Sequence, residues 1–290
     1  MTAMLIWGIS FVWVNTLLKV LDPFTIVFFR LIIASICFVA FSLAIKKLQL
    51  IKKQDIPTFL LLAFLEPFIY YIGESYGIKF SSPTIASLLI STIPLFVPIA
   101  LYFLAKEKIA LNNLWGIIIA FFGVALVLIN KNYSFDTSMI GVAFLMLAIG
   151  SATFYSYLLH KLVKKYNPIT IITSQNFIGV FFFAPLFFIF DFKSFNPSVF
   201  TTEIIYTLCA LAVLASSIAF MLFTMGVQKL GVTKATVFTY TIPVFTAFFS
   251  FIYNDEEFSI LKIIGIIVLI TGLMLSQIKK TSFISVGKKT

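Results

Sequence analysis

The chain has 290 residues, of which 61% are apolar, 17% aromatic and only 11% charged. A soluble globular domain, in which about 25% of residues are charged, is excluded, and the composition reads as a polytopic membrane protein. The net charge of +10 does not mark a nucleic-acid binder, because the lysines form short clusters between apolar runs, where they orient helices and meet anionic lipid head groups.

A helix crossing a bilayer core of about 30 Å needs about 20 apolar residues. Segments near that length run at 2–19, 24–45, 57–78, 83–104, 111–130, 139–162, 169–190, 203–227, 232–253 and 260–278. The links between them leave no room for a soluble catalytic domain. The first segment has no basic leader and no small-residue cleavage site before Lys19, so it reads as a helix of the mature protein and not as a signal peptide. Cys37 and Cys209 both fall inside apolar segments, indicating neither a disulfide framework nor a thiolate metal site. With the N-terminus taken as cytoplasmic, the inner links and tail carry fifteen lysines and the outer links five (Lys19, Lys79, Lys131, Lys193 and Lys262). This positive-inside bias puts both termini in the cytoplasm and the chain in the cytoplasmic (inner) membrane.

Residues 76–126 lie on residues 225–275 without a gap at an offset of 149, matching Gly77 with Gly226, Thr84 with Thr233, Thr92-Ile93-Pro94 with Thr241-Ile242-Pro243, Gly116 with Gly265 and Gly123 with Gly272. A looser match at an offset of 145 pairs Asp22-Pro23 and Thr25-Ile26 with Asn167-Pro168 and Thr170-Ile171. The duplicated unit therefore has five helices: residues 1–131 and 139–278, followed by a basic cytoplasmic tail, 279–290, expected to be disordered. An odd number of helices per unit inverts the second copy relative to the first. The linker charges agree, Lys106-Glu107-Lys108 being replaced at the equivalent position by Asp255-Glu256-Glu257.

The run Tyr76-Gly77-Ile78-Lys79 through Thr84, Ala86 and Ser91 to Pro94, then Lys106-Glu107-Lys108, Gly116 and Gly123, is repeated over 225–275. With Trp7-Gly8, Phe11, Pro23 and Arg30 it resembles the EamA domain of the drug/metabolite transporter superfamily, over the chain up to about Ile278. The resemblance implies an all-α membrane protein of ten helices in two inverted five-helix repeats, enclosing a central cavity that opens alternately to either side. It also implies transport of a small metabolite, such as an amino acid or a related amphipathic solute, often outward. The cargo itself does not transfer with the fold.

Ionisable groups inside a span point to function, since each costs at least about 2.5–3.5 kcal/mol at a helix centre. Arg30, Glu66 and Glu74 lie well inside. Counting about 1.5 Å per residue puts Arg30 and Glu74 at matching depth in adjacent helices and Glu66 near the middle. Two readings of Arg30 with Glu74 stand side by side: a pair that opens to meet the charged end of a zwitterionic substrate, and a permanent ion pair fixing two helices. Glu66 has no evident basic partner; it is a candidate proton carrier, or a carboxyl hydrogen-bonded to backbone loosened by Pro67. Trp7, Trp13, Asn15, Tyr70, Tyr71, Tyr155, Tyr157, Gln175 and Asn176 supply aromatic and polar groups suited to an amphipathic solute, about half of them expected to miss the cavity. The substrate-binding set is thus Trp7, Asn15, Arg30, Glu66, Tyr70, Glu74, Tyr155 and Asn176. Gln175 occupies the position of Arg30 at the 145 offset, so the polar site is asymmetric. Pro94 with Pro98 and Pro243 should kink equivalent helices. Gly116, Gly123, Gly265 and Gly272 suit close helix contact between repeats or subunits, in a monomer or homodimer.

No glycine-rich phosphate loop, metal cluster or ATP-binding domain is legible, so no cofactor is expected and a gradient must supply the energy. A membrane enzyme finds no support, since the lone His160 lies at an interface beside Lys161. A channel or a non-transporting accessory subunit remain the alternatives.

Overall fold

The computed structural model describes residues 1–105, 109–110, 138–253, 260–277 and 283–284, and 115–126 in part. Linker residues 106–108 and 254–259, the repeat boundary at 132–137, Lys131 and nearly all of the tail lie outside the described residues. The tail contributes only Phe283–Ile284, which pairs antiparallel with Ile109–Ala110.

Apolar runs fold into long helices. Seven described helices are long and apolar enough to cross a membrane: Pro23–Ala44, Lys53–Lys79, Pro83–Leu104, Met139–Leu162, Pro168–Asp191, Thr202–Leu230 and Val232–Tyr253. Thr2–Leu18 is apolar but shorter, and Ile260–Gln277 follows at the end. The expected span 111–130 is helical at those of its residues that are described. Helix starts are chemically marked. Proline occupies the first turn at Pro23, Pro83 and Pro168, where its missing N–H is not needed. Ser82, Asn167 and Thr201 accept hydrogen bonds from the backbone N–H groups of Ile85, Thr170 and Ile204. Asp22 makes no such cap; Asp191, at the end of helix 168–191, accepts from the Thr25 N–H at 2.8 Å and from its hydroxyl at 3.0 Å.

The two halves interlock. Helix 2–18 packs on residues 242–253 and 211–219, while helix 139–162 packs on 93–105 and on 64–79. Residues 211–219 also meet helix 23–44, as 56–69 meet helix 168–186, and these last two helices pack on each other. Most of these contacts recur when each helix is exchanged for its counterpart at the sequence offsets, but the extensive packing of 139–162 on 70–79 does not, since 220–230 meets 2–18 only sparsely. Glycines allow the closest approaches. A Cβ on Gly123 would lie 2.4 Å from the Leu269 nitrogen, and one on Gly272 2.5 Å from that of Ala120, so the expected close contact between halves is present. A Cβ on Gly73 would lie 2.5 Å from the Phe144 carbonyl oxygen.

Helices interrupt just before Pro94 and Pro243, two of the prolines expected to kink them, whereas helix 93–105 runs on through Pro98. Residues 83–90 and 93–105 are separate helices meeting at Ser91–Thr92. Residues 238–241 tighten into a 3₁₀ turn before Ile242 and Pro243. On one face of the molecule, Lys165 Nζ lies 2.7 Å and the Tyr166 hydroxyl 2.8 Å from the Asp55 carboxylate, clasping the link after helix 23–44 to that after helix 139–162. Between helices 202–230 and 232–253 stands a single residue, Gly231, whose φ of +84° only glycine adopts without strain.

Candidate functional site

Helix 53–79 is not continuous. Pro67 has no N–H to donate and crowds the residue before it; Glu66 is accordingly extended (φ −143°, ψ 116°) within a widened, π-helical stretch, Phe64–Ile69. The Leu65 carbonyl beside the break accepts a hydrogen bond from Ser151 of helix 139–162 at 2.6 Å. Helix 202–230 widens in the same way over Leu211–Ala219. At the offset of 149, 64–69 falls on 213–218, so equivalent helices are loosened at the same place. The hydroxyls of Ser216 and Ser217 donate to the carbonyls of Leu211 and Ala212, five residues earlier. Carbonyls of this stretch also accept from outside: Trp7 Nε1 reaches Ala215 at 3.3 Å and Asn176 Nδ2 reaches Ser216 at 3.1 Å.

Between the two loosened helices lies a cavity of about 70 Å³, room for ordered waters or a small polar head group. Trp7, Arg30, Glu66, Tyr70, Glu74 and Tyr155 all line it, with Tyr71, Ser10, Phe220 and Phe223 beside them. Rings close one side, Trp7 packing on Phe220 at 4.9 Å and on Phe223 at 5.3 Å between centroids.

Arg30 is fixed from several directions. Only 2% exposed, it donates from Nε to the Ser216 hydroxyl and lies 4.0 Å over the Tyr71 ring. Its Nη1 lies 3.6 Å from Glu74 Oε2 and has no hydrogen-bond partner among the described residues. The matching depth of Arg30 and Glu74, inferred from residue counting, is thus realised as an ion pair. Glu74 also accepts from the Tyr70 hydroxyl at 3.1 Å. Glu66 differs: 5% exposed and on the cavity wall, its carboxylate makes no hydrogen bond or ion pair among the described residues.

Two expected site residues are not brought to the wall. Asn15 lies eight residues beyond Trp7, about 12 Å further along its helix. Asn176 is buried with its amide turned to Ser216 and Ser217. Trp13, Tyr157 and Gln175 also stand off the wall; Gln175 holds the Tyr155 hydroxyl at 3.0 Å instead. The residue that sequence reasoning missed is Ser216. Its signal was the hydroxyl pair Ser216-Ser217 inside an apolar run, but nothing local names Arg30, 186 residues away, as its partner. Among the described residues no group of three or more His, Cys, Asp or Glu is placed to hold a metal.

A profile of the EamA-like transporter family matches residues 1–129 and 139–277. The chain belongs to the EamA-like transporter family. Its EamA halves meet at the cavity just described. An uncharacterized transporter of Archaeoglobus fulgidus is 28% identical over 279 residues, covering 96% of this chain and 95% of its own length. The uncharacterized transporter YetK of Bacillus subtilis is likewise 28% identical, over 96% of this chain and 85% of its own. A solved crystal structure shares the fold at a TM-score of 0.72 with 17% identity, over 95% of this chain and 94% of that one. This EamA protein is therefore a predominantly helical, multi-pass membrane protein and a transporter by family, and EamA transporters are not in general enzymes.

Proposed function

We propose that the protein is a secondary transporter of a small metabolite, such as an amino acid or a related amphipathic solute, working by alternating access in the outward direction across the cytoplasmic membrane. Its units are two inverted five-helix repeats, residues 1–131 and 139–278, with both termini and the tail 279–290 in the cytoplasm. The carrying observation is the cavity of Arg30, Glu66 and Glu74, set where the two equivalent loosened helices face each other. Helix contacts that for the most part recur on exchange of the halves support a rocking motion, since a two-fold scaffold has two equivalent end states. The volume of about 70 Å³ is below the roughly 300–1,000 Å³ of ligand pockets, which fits a contracted state that must open to load cargo. Glu66, the carboxylate without a partner among the described residues, is the group that takes up and releases the coupling proton.

Two experiments test this reading. Metabolites that accumulate differently in cells lacking and overproducing the protein are offered to proteoliposomes. Saturable uptake with counterflow is expected; unitary conductance without counterflow would instead make the protein a channel. For the topology, single cysteines replace Lys106 and Glu256 in a chain carrying Cys37→Ser and Cys209→Ser. Labelling from opposite compartments is expected, and labelling from the same side would end the inverted-repeat reading.

A further inference from the structure

We infer that the solute binds with one net positive charge, and that its cationic group and a proton take turns on Glu66. The inference rests on the cavity being the transport site. Among the described residues three formally charged side chains line it: Arg30, Glu66 and Glu74. Arg30 and Glu74 offset each other in charge at 3.6 Å, although Arg30 Nη1 makes no hydrogen bond among the described residues; their other contacts are with Ser216, Tyr71 and Tyr70. Ionised Glu66 therefore leaves the cavity one negative charge in excess. The groups facing it are Glu74, Tyr70 and Tyr71 of its own helix, Arg30 of helix 23–44, Tyr155 of helix 139–162, and Trp7 and Ser10 of helix 2–18. None of these is a second cation.

A buried charge without a counter-charge costs several kcal/mol, so the Glu66 carboxylate calls for one positive charge beside it, either a proton or a cationic group. A zwitterion brings no net charge and cannot take that proton's place. An anion makes the imbalance worse, whereas a monocation restores neutrality. The exchange balances without redox chemistry: the Glu66 carboxyl loses its proton to water, and the ammonium of the solute, R–NH₃⁺, pairs with the carboxylate that remains. The rest of the wall suits such a solute. The rings of Trp7, Tyr70, Phe220 and Phe223 supply aromatic surface that attracts an organic cation and covers an apolar body. Within the proposed cargo this singles out amphipathic amines, an amino acid qualifying only where it carries a net positive charge.

The test uses the purified full chain and three probes sharing one ring: phenethylamine as cation, phenylalanine as zwitterion and phenylacetate as anion. Calorimetric titration in buffers of different ionisation enthalpy gives affinity and protons released together. Phenethylamine is expected to bind at least tenfold more tightly than the other two, releasing close to one proton. Glu66→Gln should abolish the release and weaken the cation at least tenfold. Glu66→Asp should keep both, which separates loss of the charge from loss of the fold. Preference for phenylalanine, binding of none of the probes, cation binding without proton release, or an unchanged Glu66→Gln variant would each overturn the inference. Flux is read separately in proteoliposomes: Glu66-dependent cation binding with no phenethylamine uptake or counterflow would support the charge rule while counting against transport.

Discussion

Replacing Ser216 by alanine removes the acceptor that holds Arg30 Nε and the Tyr71 hydroxyl, the latter at 3.5 Å. Arg30 is 2% exposed and its Nη1 already lacks a hydrogen-bond partner among the described residues, so water cannot readily replace the lost bond. A hydrogen bond to a charged group contributes about 1.5–3 kcal/mol, and an unsatisfied buried charged donor belongs at the upper end of that range. The cost attributable to the pair is isolated by a double-mutant cycle of Ser216→Ala and Arg30→Met. Unfolding of the four proteins in detergent by SDS titration should give a coupling of about 1.5–3 kcal/mol. The single Ser216→Ala variant should lose slightly more, because the weaker bond to the Leu211 carbonyl at 3.3 Å goes too. A coupling under about 0.5 kcal/mol, the additivity expected of independent sites, would refute the claim that Ser216 anchors Arg30.

Further expectations follow from packing, backbone and charge. Gly73→Ala places a Cβ 2.5 Å from the Phe144 carbonyl oxygen and 2.8 Å from the Ala148 nitrogen. Backbone has to move, at about 1–3 kcal/mol for overpacking, whereas Gly150→Ala meets nothing within 4 Å and should leave detergent unfolding unchanged or slightly improved. Gly231→Ala also meets open space but is held at positive φ, so a loss of about 1–2 kcal/mol is expected; an unchanged midpoint would show that the link adopts another conformation. The hydrogen bond from Lys165 to Asp55 raises the Lys165 pKa above its usual value of 10.5. A group raised in the folded state contributes fully below its unfolded pKa and loses that contribution as pH climbs through the raised value. Wild type should therefore lose an alkaline increment of thermal stability that Asp55→Asn does not have, and parallel alkaline curves for the two proteins would exclude the clasp as its source.

What the sequence determined by itself is whatever short-range chemistry and repetition write into it. Apolar length marked the helices, and proline with serine or asparagine marked where they begin. The ungapped offset of 149 paired Gly123 with Gly272, and their close backbone approaches across the halves follow from having no side chain. Counting along helices brought Arg30 level with Glu74. Only the tertiary structure decided which groups answer which. A local pattern shows that Ser216-Ser217 is polar, but not that a widened turn points one hydroxyl at an arginine 186 residues away. Asn15 and Asn176 are as polar as the residues that line the cavity; axial distance removes the first and a backbone carbonyl occupies the second. Glu66 is the sharpest case. Pro67 announced a disturbed backbone, yet that the disturbance leaves this carboxylate on the cavity wall without a partner among the described residues depends on the packing of helices 2–18, 23–44 and 139–162 around it, and no one-dimensional spacing encodes that arrangement.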